Sequence, residues 1–157
     1  MYKWLIIFPL LMSFNVLADD ENQDWRKTGS IEIKLKNLIK VIPSTSDIMI
    51  KIGERYKNLY WAAKQGKWEF ASYQLEEIES EIKILKITRP KRAKTANVFL
   101  DSALEDMEEA IEKQKWAGFQ SNFEKMRKQC VQCHVSNDHA FIVPAKTPSK
   151  GSSPVLD

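Results

Sequence analysis

Two thiols and an imidazole within five positions, Cys130-Val131-Gln132-Cys133-His134, carry the clearest chemistry in this chain. On a helix, Cys130 and Cys133 share one turn, and His134 follows from the same face. Cys-x-x-Cys-His is the attachment signature of a c-type haem. Each thiol adds across a haem vinyl group, and the histidine is set to ligate the iron. Other uses of the same atoms fit less well. A closed zinc site wants four ligands, and beyond Cys130, Cys133 and either His134 or His139 the chain has no second Cys/His cluster to complete one. A thioredoxin-like redox pair belongs at a strand–helix junction of a βαβ pattern, which is absent. No cysteine remains for another task. The expectation is one haem c, covalent on Cys130 and Cys133, with His134 as the proximal iron ligand.

The elements around the motif must export it and build its pocket. Met1-Tyr2-Lys3, an apolar run from Trp4 to Phe14, and Asn15-Val16-Leu17-Ala18 before Asp19-Asp20 have the parts of a secretory signal peptide. The run is shorter than the ~20 apolar residues of a spanning helix, and Pro9 interrupts it. Residues 1–18 are therefore expected to be removed after Ala18, leaving a periplasmic chain with no membrane span. Export agrees with the motif, since bacterial c-type attachment takes place outside the inner membrane. Losing Lys3 takes the net charge from +3 to +2, which two haem propionates bring close to neutral. Lysines interleaved with glutamates argue against a nucleic-acid partner.

The mature length suits one domain with a real core. Residues 19–45 read as a lead-in. Within it, 31–42 are ambiguous: Ile31, Ile33 and Leu35 alternate like a strand, while Ile31, Leu35, Leu38, Ile39 and Ile42 fit a helical face. Pro43 and Ser44-Thr45-Ser46-Asp47 stop that segment and cap the next. Four helices follow, at 46–64, 68–88, 92–113 and 116–136. Their apolar seams are Met49/Ile52/Tyr56/Leu59/Ala63, Trp68/Ala71/Leu75/Ile78/Ile82/Leu85, Ala96/Leu100/Ala103/Leu104/Met107/Ile111 and Phe119/Phe123/Met126/Cys130/Cys133. Glu76, Glu77, Glu79 and Glu81 form a solvated outer face. A shift of 48 positions lays the first helix pair on the second, with Trp68 on Trp116, so each half is a hairpin whose second helix opens Lys-Trp. Short loops and sustained seams predict an all-α fold, an antiparallel up-down-up-down four-helix bundle over 46–143 with the haem site near its C-terminal end. Residues 144–157, without apolar period, read as a disordered tail.

A four-helix chain with a signal peptide and Cys-x-x-Cys-His near the end of its last helix resembles the cytochrome c-prime family. Class I cytochromes c place the motif near the N-terminus and a methionine ligand far downstream, which this chain does not. Trp68-Glu69-Phe70-Ala71-Ser72-Tyr73-Gln74-Leu75-Glu76-Glu77 and the ending Asp138-His139-Ala140-Phe141-Ile142-Val143-Pro144 also look like a group of exported c-type cytochromes. The resemblance spans roughly 46–143. It departs after the motif, where cytochromes c-prime usually carry a basic residue.

The resemblance implies that the first bundle helix closes the distal face of the haem, and that the bundle pairs into a homodimer. Met49 on that helix is either a thioether ligand to the iron, favouring a low-spin electron carrier, or flexible core packing. Ile52 would flank the haem with it, Tyr56 either lines the distal side or is ordinary core, Phe123 would back the pocket from the haem's own helix, and Arg127 is either a propionate partner or an exposed arginine. Met107 and Met126 read as core. Two functions follow: an electron-transfer cytochrome acting with a redox partner protein, or a five-coordinate haem that binds nitric oxide or carbon monoxide as scavenger or sensor. A haem subunit of a larger redox complex is a third class. Enzymatic catalysis has no residues to carry it, because His139 lies past the end of the last helix and reads as a cap or a propionate contact.

Overall fold

The computed structural model describes residues 24–151 and 153–156. The leader expected over 1–18, with its cleavage after Ala18, lies outside the described residues. Among those described, every regular element is helical and none is a strand, so the chain is all-α. None of these helices is long and apolar enough to cross a membrane. The described residues fall into two compact units, 24–41 and 42–156.

The first unit holds helix α1, Ile31–Lys40. Ser30 is its N-cap, the hydroxyl accepting from the Ile33 amide at 3.3 Å. The ambiguity of 31–42 resolves toward helix for a simple reason. A lone strand leaves its backbone groups unpaired, whereas a helix satisfies them internally.

In the second unit, α2 spans Thr45–Lys64 and α3 spans Trp68–Thr88. A capping box opens α2: the Asp47 amide donates to Ser44 Oγ at 3.1 Å, and the Ser44 amide donates to Asp47 Oδ2 at 2.9 Å. Gly66, at φ 73°, turns the chain in the left-handed region that glycine adopts without strain. Arg55 then reaches Gln74 and Glu77, while Lys51 reaches Glu81. One number falls as the other rises, so α2 and α3 run antiparallel. Pro90 starts a 3-10 turn, Pro90–Arg92, and Arg89 donates to the Pro43 carbonyl at 2.7 Å.

The third expected helix is not continuous. Helix α4, Ala93–Phe99, passes through a π-turn, Leu100–Leu104, into α5, Glu105–Glu112. The extra residue shifts the buried face, so Phe99 is buried and Leu100 only half-buried. Helix α6, Trp116–Ser136, follows a second tight turn at Gln114, φ 50°. Gly66 and Gln114 stand 48 positions apart, each one residue before a Lys-Trp pair, so the repeat in the sequence has a counterpart in backbone geometry. At its middle and at its C-terminal end α6 is tied to the α4–α5 rod. Lys125 pairs with Asp106, and Asn137 donates to Thr95 Oγ1 at 2.9 Å.

An aromatic ladder joins α2, α3 and α6. Phe123 packs on Tyr56 at 4.4 Å and on Tyr60 at 5.1 Å between ring centroids, Tyr60 meets Trp116, and Trp68 meets Phe119. Phe119 and Phe123 are buried, each contributing roughly 1.5–3 kcal/mol by burial. Met107 and Met126 lie in this core.

The described residues of the segment expected to be disordered, 144–151 and 153–156, are anchored to α2 and α6. Trp61 Nε1 donates to the Pro148 carbonyl at 3.0 Å, and Gln65 Nε2 donates to the Leu156 carbonyl at 2.9 Å. Lys67 Nζ donates to the Val155 carbonyl, and Leu156 is buried. The tail is held by its own backbone acceptors, which need no apolar period.

Candidate functional site

The end of α6 decides where the motif faces. The His139 amide donates to the His134 carbonyl at 2.8 Å and the Asp138 amide to the Val135 carbonyl at 3.2 Å. With Asp138 at φ 64° this is a Schellman motif. A short polar side chain tolerates that left-handed position. The chain reverses there and returns alongside α6 rather than continuing outward. Asn137 fixes the corner, its Nδ2 donating to the Cys133 carbonyl at 2.8 Å as well as to Thr95.

Between the returning tail and the helices lies an apolar cavity of about 310 Å³, inside the roughly 300–1,000 Å³ range of small-ligand sites. Helix α6 contributes Cys130, Cys133 and His134 to its wall, and α2 contributes Met49, Ile52, Gly53, Tyr56 and Lys57. Ile82 and Phe99 line it from α3 and α4, and the tail from Ile142 to Ala145 and at Pro148 completes it. A smaller void of about 40 Å³ adjoins, again with Met49, Cys133 and His134 in its lining, together with Arg92.

The His134 ring is oriented by the tail, its Nδ1 lying 2.8 Å from the Ile142 carbonyl oxygen. A carbonyl only accepts, so Nδ1 carries a proton, and in the neutral ring that tautomer leaves the lone pair on Nε2. Burial, helped by the neighbouring Cys133, pushes the Cys130 thiol up to about 12. It therefore stays protonated near neutral pH, in the S–H form that addition across a vinyl group consumes. Tyr56 donates to the Ala145 carbonyl at 2.7 Å, and burial raises its phenol above the ordinary value.

Six of the eight expected site residues thus meet on one cavity: Cys130, Cys133, His134, Met49, Ile52 and Tyr56. Phe123 stands one layer deeper, stacked under Tyr56. Arg127 is engaged elsewhere. Its guanidinium forks onto Glu124 at 2.8 and 2.9 Å and donates to the Pro144 carbonyl at 3.3 Å, holding the Glu124 carboxyl below the usual carboxylate range. Glu124 precedes it by one helical turn, a pairing visible in the sequence. Phe99 and the tail carbonyls were not foreseen. The π-turn has no sequence mark, and carbonyls belong to every residue. His139 closes α6 through its amide, and its ring stacks on Phe141. No protein-family model, curated protein or solved structure matches the chain, so its own residues carry the reading of the site.

Proposed function

We propose that this chain is a periplasmic c-type cytochrome that transfers electrons. In this reading α2, α3, the α4–α5 rod and α6 form an antiparallel up-down-up-down four-helix bundle, and residues 1–18 direct export. One observation supports the reading above the rest. Both thiols and the imidazole of Cys-x-x-Cys-His open onto the same apolar cavity, and Met49 lines it from another helix.

The donor set fits a haem. Cys130 and Cys133 would hold it through thioethers, and His134 Nε2 would ligate its iron. Bound haem supplies one-electron redox chemistry. The chain's part is to orient and shield. The Ile142 carbonyl on Nδ1 holds the His134 ring and raises its basicity as a ligand. Ile52, Phe99 and Ile82 exclude water from the wall, and burial of that kind raises the potential of a haem. Met49, on the facing helix, would offer its thioether to that iron, which would favour the reduced state.

The test is the visible spectrum of protein made with haem-maturation machinery, taken oxidised, reduced, and reduced under carbon monoxide. Sharp low-spin bands unmoved by the gas are expected, with Met49→Ala turning the spectrum high-spin. A high-spin wild type that shifts with carbon monoxide would replace electron transfer by gas binding. Protein without covalent haem would refute both.

A further inference from the structure

From the end of α3 through the α4–α5 rod, charge is sorted rather than interleaved. Between residues 82 and 100 there are six cations and no acid (Lys83, Lys86, Arg89, Lys91, Arg92, Lys94), and between 101 and 112 there are six acids and no cation. The basic half sits beside the motif. Arg89, Lys91 and Arg92 face Ser136 and Asn137 across an open cleft at the C-terminal end of α6, and Arg92 also lines the small void shared by Cys133 and His134. The acidic half leads into the turn before Trp116, at the other end of α6. By its 21 residues that end is about 30 Å away.

Arg89 is fixed by carbonyls of Thr88 and Pro43, which position its charge without neutralising it. Lys91 and Lys94 are exposed, and neither forms an ion pair among the described residues. Two acids face the collar: Asp138 in the cleft wall, and Asp47, which interacts with Arg89. In the polypeptide's own charge, four cations against two acids leave a positive field at the motif end. A field of one sign steers oppositely charged partners and orients them on contact.

We propose that the collar of Arg89, Lys91, Arg92 and Lys94 is the docking face for an acidic redox partner, which it seats at the haem end of the rod. This rests on the function proposed above.

The experiment uses the haem-loaded mature chain, reduced, and two small oxidants of opposite charge: ferricyanide and tris(phenanthroline)cobalt(III). Each takes one electron, giving oxidised protein with ferrocyanide or the cobalt(II) complex. The double variant Lys91→Glu/Lys94→Glu is compared with Glu108→Lys/Glu112→Lys at the far end, at about 0.1 M ionic strength where the Debye length is about 10 Å. At the collar, reversal should slow ferricyanide by about tenfold, the low end of the range for electrostatic steering, and should speed the cobalt complex. The far-end variant should change neither rate. Equal rates for wild type and collar variant, with unchanged helix content and haem spectrum, would overturn the docking face alone. Protein that takes up no haem would instead overturn the function beneath it.

Discussion

Tyr56→Phe isolates the contact that seats the tail. The phenol donates at 2.7 Å to the Ala145 carbonyl, while its ring, 7% exposed, stacks on Phe123. Phenylalanine keeps the ring, the burial and the stacking and removes only one oxygen. Ala145 is exposed, so its freed carbonyl turns to water, and the loss is the net value of one neutral hydrogen bond, about 1 kcal/mol. For a domain of this size that lowers Tm by about 4 °C. The pH dependence adds a signature. Burial raises the phenol's folded pKa above its ordinary value, so the folded state holds this proton more tightly than the unfolded one. The stabilisation is complete below about pH 10 and is lost as pH climbs from there through the folded pKa. Wild type should thus exceed the variant by about 1 kcal/mol at neutral pH, and the gap should close or reverse near pH 11. Urea denaturation of the haem-loaded chain, followed by far-UV circular dichroism at both pH values, measures it. No gap at neutral pH, or the same gap at both, would refute a seated phenol.

The twin turns predict opposite responses by urea midpoint. Nothing lies within 4 Å of a Cβ built at Gly66, so Gly66→Ala costs about 1 kcal/mol in backbone strain alone, while Gln114→Gly gains roughly 0.5 kcal/mol after glycine's larger entropy loss. Asn137→Ala removes bonds to Thr95 and Cys133 and should cost about 1–2 kcal/mol in the same denaturation experiment. Deleting Ser102 removes the residue that the π-turn absorbs, restores a regular α-helix and leaves Phe99, Ala103, Leu104 and Met107 on one face. Phe99 should therefore keep its place in the cavity wall, with the haem spectrum unchanged.

What was legible in the sequence was whatever breaks or repeats. Pro43 with the Ser44–Asp47 box, Gly66 and Pro90 punctuate the chain, and α2, α3 and α6 begin and end within a residue of the expected bounds. Seam residues from Ala71 to Leu85 and from Phe119 to Met126 are buried because the 3.6-residue period selects them whatever their partners. Phe99 escaped that reading. One inserted residue in the π-turn moves the face, and periodicity carries no record of where the insertion falls. Arg127 pairs with Glu124, one turn before it, a contact that helical spacing alone allows.

The two places where pattern reasoning failed, the π-turn and the tail, both border the cavity, as expected if local rules give way at a functional site. The tail shows why. A segment that only covered apolar surface would itself be apolar; this one offers carbonyls in sequence order. Ile142 and Pro144 serve His134 and Arg127 on α6, Ala145 and Pro148 serve Tyr56 and Trp61 on α2, and Leu156 serves Gln65 just past α2. Each donor belongs to a helix that carries part of the Cys130–His134 and Met49 wall, or to the turn that ends it. The tail therefore clips α6 to α2 across the cavity mouth, and the turn at Asp138 is the hinge that makes the clip possible. The same stretch of backbone orients the imidazole and fixes the spacing of the wall opposite it, so the two walls of the cavity cannot move independently while the clip holds.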